Sequence, residues 1–190
     1  MDNKPPMDDS ELVASCRAGE AGAFEALVNK YQSALLTMAW SVLGNREDAL
    51  DATQQAFLAA FSKLDRYDAA RNFKSWLFAI AWKDCLDMKR REKTARMKFQ
   101  RLAAEAPLTA DPGPVDPPRL EDSEAFRPLL SQLKPKERVA LSLRMNEGCT
   151  AFEIADVLGC AESSARVYVF NAIRRVRKLW KKGNGDVRDR

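Results

Sequence analysis

Five prolines between positions 107 and 118 divide this chain into two parts. Pro107, Pro112, Pro114, Pro117 and Pro118, interleaved with Gly113, Asp111 and Asp116, allow neither a continued helix nor a central strand. They mark an extended linker over 103–122. On either side every long patterned segment has helical period, and none alternates in the manner of a strand. The expected fold is therefore all-α, with two small helical domains at 10–102 and 123–182 and short tails at 1–9 and 183–190. A length of 190 residues gives each domain enough chain for its own core.

In the first half, Ser10 is placed to cap a short helix that Gly19 ends. A second helix runs from about Ala21 to Leu43, with Phe24, Leu27, Tyr31, Leu35, Met38 and Val42 on one side and Gly44 as its stop. Asn45 then caps a third, whose buried stripe is Ala49, Thr53, Ala56, Phe57, Ala60, Phe61 and Leu64. A turn from Asp65 to Asn72 leads into a fourth, from about Phe73 to Lys93. This helix turns Trp76, Leu77 and Ile80 inward, leaves Phe78 outside, and becomes strongly basic at Lys89, Arg90, Arg91 and Lys93.

The second half contains a helix ending before Pro135, another from Lys136 to about Asn146, and then two helices in close succession. Thr150 with Glu153 three residues later is a capping box, since hydroxyl and carboxylate each satisfy an otherwise orphaned amide. Gly159 supplies the left-handed stop. From Glu162 to Trp180, Ala165, Val169, Ala172, Ile173, Val176 and Trp180 recur on one stripe, while Arg166, Phe170, Asn171, Arg174 and Arg175 fall away from it. Two short helices, a tight turn and a basic outer face are what a helix-turn-helix needs to enter the major groove of DNA. The competing reading is a basic amphipathic hairpin that merely closes a helical domain.

Charge is distributed unevenly. The formal net charge is only +4, but basic residues gather at Lys83 to Arg101 and at Arg166 to Lys182, which suggests two contacts with a polyanion. Histidine is absent and the four cysteines (Cys16, Cys85, Cys149 and Cys160) form no CxxC pair, so neither a typical zinc site nor a Cys-His nucleophile is expected. No cofactor is expected. Reduced thiols, an acidic N-terminus and the lack of a long apolar run point to the cytoplasm and away from any membrane contact.

With both halves in view, the chain resembles the extracytoplasmic-function (ECF) group of the sigma-70 family of RNA polymerase sigma factors. The resemblance rests on AGEAGAFEALVNKYQ, LGNREDALDATQQAFLAAF, FKSWLFAIAWKDCLDMKRR and the long C-terminal LKPKERVALSLRMNEGCTAFEIADVLGCAESSARVYVFNAIRRVRKL, in the family's order and spacing. It implies that 10–102 is sigma domain 2 and 123–182 is sigma domain 4. The implied partners are core RNA polymerase (clamp helices of the largest subunit, flap of the second), promoter DNA and an anti-sigma factor. No reaction is catalysed by such a factor itself.

The family's Asp-x-x-Gln-Glu-x-Phe grip on the clamp helices matches Asp51, Gln54, Gln55 and Phe57, with Asp51, Gln54 and Gln55 expected opposite the aromatic stripe and Leu58 nearby. Gln55 replaces the usual glutamate, a loss of up to about 1 kcal/mol if the missing contact is an exposed ion pair. Leu58 and Phe78, as exposed apolar positions, would suit an anti-sigma factor. Minus-ten DNA would be held by Arg66 and Asn72 in the loop that captures a flipped base, and by a helix face with Lys74, Lys83, Asp87, Arg90 and Arg91. At Lys83 many relatives carry asparagine, and lysine cannot reproduce the bidentate amide contact with a base.

Minus-thirty-five DNA would be met by Arg144, Ser163, Ser164, Arg166, Val167, Phe170, Asn171, Arg174, Arg175 and Lys178. Arg166 is the candidate base reader, Phe170 would touch a thymine methyl, and Arg144, Arg174, Arg175 and Lys178 would contact phosphates. Val167 and Asn171 stand where relatives more often have serine and arginine. The linker would tether the two domains at the two boxes and so set the spacing allowed between them. A conventional helix-turn-helix regulator, dimeric and acting without polymerase, is the alternative function. A helical protein-interaction module with no sequence-specific DNA binding is a third.

Overall fold

The computed structural model describes residues 7–102, 130 and 132–185. Among these are seven α-helices: α1 (Asp9–Arg17), α2 (Ala23–Leu43), α3 (Arg46–Lys63), α4 (Phe73–Leu102), α5 (Pro135–Asn146), α6 (Ala151–Leu158) and α7 (Glu162–Gly185). A 3-10 turn, Leu64–Arg66, closes α3. The described residues contain no strand. The expected linker and most of the helix expected before Pro135 lie outside the described residues.

Local signals set most helix ends. The Asn45 side chain accepts from the Asp48 amide at 2.7 Å, and Gly44 takes the left-handed conformation that stops α2. Thr150 and Glu153 form their capping box, with the Thr150 amide donating to Glu153 Oε2 at 2.7 Å and the Glu153 amide to Thr150 Oγ1 at 3.2 Å. At α1 the cap is Asp8 rather than Ser10, because Asp8 and Glu11 satisfy each other's amides at 2.8 and 2.9 Å. The helix thus starts at Asp9, one residue inside the expected tail. α4 continues nine residues past Lys93, since nothing in that basic stretch breaks a helix.

α2, α3 and α4 form a three-helix bundle on which α1 lies, and α5, α6 and α7 form a second bundle. The halves are not separate. α2 packs on α5 and α4 on α6, and one apolar core runs from Leu35, Met38 and Leu77 through to Val139, Leu143, Ile154 and Val157. Arg138 bridges the two, donating to the Ser41 carbonyl at 2.6 Å and to its own domain's Leu133 carbonyl at 3.1 Å. Packing on α2, α3 and α6 surrounds α4 in its first half, which explains why Phe78 is 1% exposed and not the surface residue expected. Trp82 is buried for the same reason, whereas Trp180, expected inside, is 41% exposed.

Cys85 and Cys149 are buried and all four cysteines are free. Burial pushes the Cys85 thiol up to about 12 and raises Cys149 as well. Because the thiolate is the nucleophile, raising its pKa makes it inert at neutral pH. Maleimide labelling of the native chain at pH 7.5 is therefore expected to spare Cys85 and Cys149, and peptide mapping should find both labelled once urea has unfolded it.

Candidate partner and nucleic-acid interfaces

A groove of about 570 Å³ runs between α2 and α3, walled by Phe24, Val28 and Gln32 on one side and Leu50, Thr53, Gln54, Phe57, Leu58 and Phe61 on the other. Leu58 is 55% and Phe61 60% exposed. Phe61 leaves the expected buried stripe because, at 100° per residue, it sits about 120° round the helix from the centre of Ala49, Ala56 and Ala60. It rests edge-on against Phe24, with ring centroids 4.9 Å apart. Gln54 accordingly lines the same groove as the aromatics and does not lie opposite them. Asp51 and Gln55, both exposed, follow on the adjoining face. The arrangement is an apolar trough with a polar margin, suited to a helical partner.

The second surface is the loop from Leu64 to Asn72 with the outer face of α4. The Asp68 carboxylate accepts from the Ala70 amide at 2.9 Å, the Tyr67 hydroxyl donates to the Arg71 carbonyl, and Asn72 Oδ1 caps α4 by accepting from the Ser75 amide at 3.0 Å. Trp76 is half-buried and packs at a tilt against Tyr67 with centroids 4.9 Å apart, so it supports the loop. Arg66, Lys83, Arg90 and Arg91 are exposed, and Arg90 pairs with Asp87 at 3.0 Å. Beside them burial raises the Asp84 carboxyl pKa against the pull of Lys63.

Lys74 does not share that face. It lies about 140–180° round α4 from Lys83, Asp87 and Arg90, and its ammonium donates to the Glu147 carbonyl at 2.9 Å. Asn72 likewise turns its amide nitrogen to Glu153 at 3.2 Å, and Arg71 meets Asp156 at 3.3 Å. The second domain thus covers one side of the loop.

The third surface is the first half of α7. Ser163, Arg166, Val167 and Phe170 are exposed, and Ser164 and Asn171 are half-buried. Arg166 is held by Glu162 one turn before it, at 2.5 Å. Phe170 and Arg166 share a groove of about 590 Å³ with Arg144, Phe152, Val169 and Ile173. Arg144 also donates to the Cys149 carbonyl at 3.0 Å, which braces the turn before α6. Arg174 and Lys178 border a separate basic cleft with Lys134 and Asn171. Arg175 lines the same cleft and is exposed, while its guanidinium is partly engaged by its own domain. It donates to the Gln132 carbonyl at 3.2 Å and to Glu137 at 3.4 Å, because Glu137 is 5% exposed and needs a counter-charge.

No group of three or more Cys, Asp or Glu among the described residues is arranged to hold a metal ion, and no described helix is long and apolar enough to cross a membrane.

Two family models match the chain, Sigma-70 region 2 over residues 27–95 and Sigma-70 region 4 over residues 123–176. The chain belongs to the sigma-70 family. It is 32% identical over 174 residues to the ECF RNA polymerase sigma factor SigM of Mycobacterium tuberculosis, a match spanning 90% of this chain and 84% of SigM. With the ECF sigma factor SigW of Bacillus subtilis it shares 25% over 178 residues, 87% of this chain and 93% of SigW.

Among solved structures it resembles CnrH in complex with the cytosolic domain of CnrY, at TM-score 0.66 and 26% identity over 92% of this chain and 97% of CnrH. It shares the fold of RpoE from Bartonella quintana, there bound to the anti-sigma factor NepR, at TM-score 0.67 and 23% identity over 85% of this chain and 98% of RpoE.

The protein is an alternative sigma factor of the ECF type. The α3 residues, the loop and the basic face of α4 fall inside the region 2 match, and α7 up to Val176 falls inside region 4. α1 lies outside both.

Proposed function

We propose that this sigma factor docks on core RNA polymerase through the α2–α3 groove, captures and opens minus-ten DNA with the Leu64–Asn72 loop and the basic face of α4, and reads minus-thirty-five DNA with the first half of α7. The observation that carries this reading is one domain presenting an exposed apolar trough together with a hydrogen-bonded loop and a basic helix face. A duplex-operator binder has no use for both. Asp51, Gln54, Gln55 and Leu58 form the polymerase contact, and Arg66, Lys83, Arg90 and Arg91 the minus-ten contact, with Asp87 orienting Arg90. Ser163, Ser164, Arg166, Val167, Phe170 and Asn171 face the minus-thirty-five element, with Arg174 and Lys178 on phosphate.

The factor itself catalyses nothing and works in the cytoplasm. It is restrained by an anti-sigma factor, and for this last point the complexed states of CnrH and RpoE give support. The test is run-off transcription by core bacterial polymerase, with and without this protein, over a pool of promoter fragments. Factor-dependent transcripts sharing two upstream boxes are expected. Sequence-specific binding by the free protein, as a dimer on palindromic sites and with no transcripts, would favour the operator-binding regulator.

The packing of the two domains adds a requirement. Asn72 and Lys74, together with Arg71, must exchange their contacts with Glu153, the Glu147 carbonyl and Asp156 for contacts with DNA. Asp156→Asn together with Glu153→Gln should loosen this contact. Exposed pairs of this kind are each worth about 0.2–1 kcal/mol, so loss of both should raise binding of the free protein to forked DNA with a single-stranded minus-ten box by roughly two- to thirtyfold. Fluorescence anisotropy at low salt would measure it, and an unchanged affinity would show that this contact does not limit binding.

A further inference from the structure

The base-capturing loop is held from outside by one arginine that the loop's own sequence does not contain. Arg17, the last residue of α1, donates from Nη2 to the Leu64 carbonyl at 2.8 Å, to the Asp65 carbonyl at 3.5 Å and to the Tyr67 carbonyl, and from Nε to the Leu64 carbonyl again at 3.2 Å. Its guanidinium carbon stands 5.9 Å from the centre of the Tyr67 ring. The Leu64 carbonyl also takes the Tyr67 amide at 3.1 Å, which leaves it a second lone pair, and a planar cation with several donors is a natural way to gather carbonyls at the end of a helical turn.

α1 is itself secured. Leu12 and Val13 are buried, and Asp9 accepts from the Tyr31 hydroxyl at 2.6 Å and from Lys30 at 2.7 Å. The guanidinium is therefore a fixed post on the bundle, with the loop hung from it. Between α1 and the loop lies a cleft of about 240 Å³ lined by Asp9, Arg17, Tyr67, Arg71 and Asn72. The backbone that Arg17 grips leads directly into residues facing this cleft.

We propose that Arg17 is the positioning residue for the minus-ten loop: by gathering the carbonyls of Leu64, Asp65 and Tyr67 it pre-forms the loop for an unstacked base, and α1 thereby sets base discrimination in the minus-ten element. This rests on the reading of the loop given above. A captured base must offset lost stacking, and a loop that first has to be ordered weakens that capture. Lysine at this position keeps the charge but not the fork, and cannot hold three carbonyls in one geometry.

The test uses the full-length chain as wild type, Arg17→Ala and Arg17→Lys. Hydrogen exchange of the 64–72 amides is measured on the free protein, and open-complex formation with core polymerase on promoters whose minus-ten bases are substituted one at a time. Both variants are expected to bind core within about twofold of wild type and to form open complexes roughly tenfold more slowly, the scale of losing a charge-assisted hydrogen bond. Discrimination should flatten at the captured base and stay unchanged in the minus-thirty-five element, while exchange rises over 64–72 and not over α2. Wild-type exchange over 64–72 in either variant would overturn the proposal, as would full base discrimination by Arg17→Lys. If Arg17→Ala unfolds, Arg17→Lys decides. If the wild type itself supports no transcription from any promoter, the sigma reading of the loop fails, while exchange still tests whether Arg17 holds it.

Discussion

A chain carrying Leu58→Ser and Phe61→Ser should melt within a few degrees of the parent yet lose about thirtyfold or more in affinity for core polymerase. Both side chains are more than half exposed, at 55% and 60%, so truncating them removes little from the core. Surface changes of this kind usually stay within about 0.5 kcal/mol of neutral. Their neighbours Phe24 and Phe57 remain to shape the groove. When a partner helix fills such a groove the same side chains become its desolvated centre, where a single truncation costs about 2 kcal/mol or more, and 1.4 kcal/mol is a factor of ten. Competition against a labelled sigma factor for core enzyme, with a thermal melt of each variant, checks both halves of the statement. Unchanged affinity would move the contact to the Asp51 and Gln55 face.

Phe78→Ala should have the opposite profile, with a large loss of stability preceding any effect on partners. Phe78 is among the largest fully buried side chains of the described residues, and its ring meets Tyr31 edge-on with centroids 6.4 Å apart. Removing a buried phenyl ring costs about 3–5 kcal/mol, because the cavity left behind adds to the lost burial. Against a typical domain stability of about 5–15 kcal/mol that is enough to leave a measurable unfolded fraction. Urea titration should show a lower midpoint with an unchanged slope. An unaltered midpoint together with weaker binding of a regulatory partner would mean that the ring faces outward after all.

These two positions also show what was legible in the sequence. Leu58 and Phe78 were both expected outside, and only the first is. Local chemistry was legible throughout: Asn45 and Thr150 are caps, Gly44 and Gly159 are left-handed stops, and each signal needs no more than four neighbouring residues. Placement depending on a third helix was not. α4 receives α2, α3 and α6, so its buried surface wraps further round than a single amphipathic stripe and takes in Phe78 and Trp82. Phe61 failed in the other sense, because extending the stripe by one residue swings a side chain by about 100° out of the core.

Of the candidate site, the residue types and their order along the chain were legible, because they lie in contiguous motifs. Their company was not. Gln54 joins the aromatics and Lys74 parts from Lys83 by the rotation of their own helices, which 100° per residue already implies, whereas the contact of Arg175 with Glu137 is decided by another element. Arg17 lay beyond any motif, since its partners are 47 to 50 residues away.

Glu153 has one carboxylate oxygen for each of two roles. Oε2 takes the Thr150 amide and hydroxyl, at 2.7 and 2.9 Å, and belongs to the helix start; Oε1 takes Asn72 of the other domain at 3.2 Å. Glu147 offers Lys74 only a carbonyl, and so does Ser41 to Arg138. These polar contacts between the halves fall on acceptors that neither fold consumes. When the halves part, water can take each vacated lone pair while the caps and turns keep their partners. The polar part of the junction can therefore open without loss to the caps of either half, and what resists parting is the apolar core that the halves share.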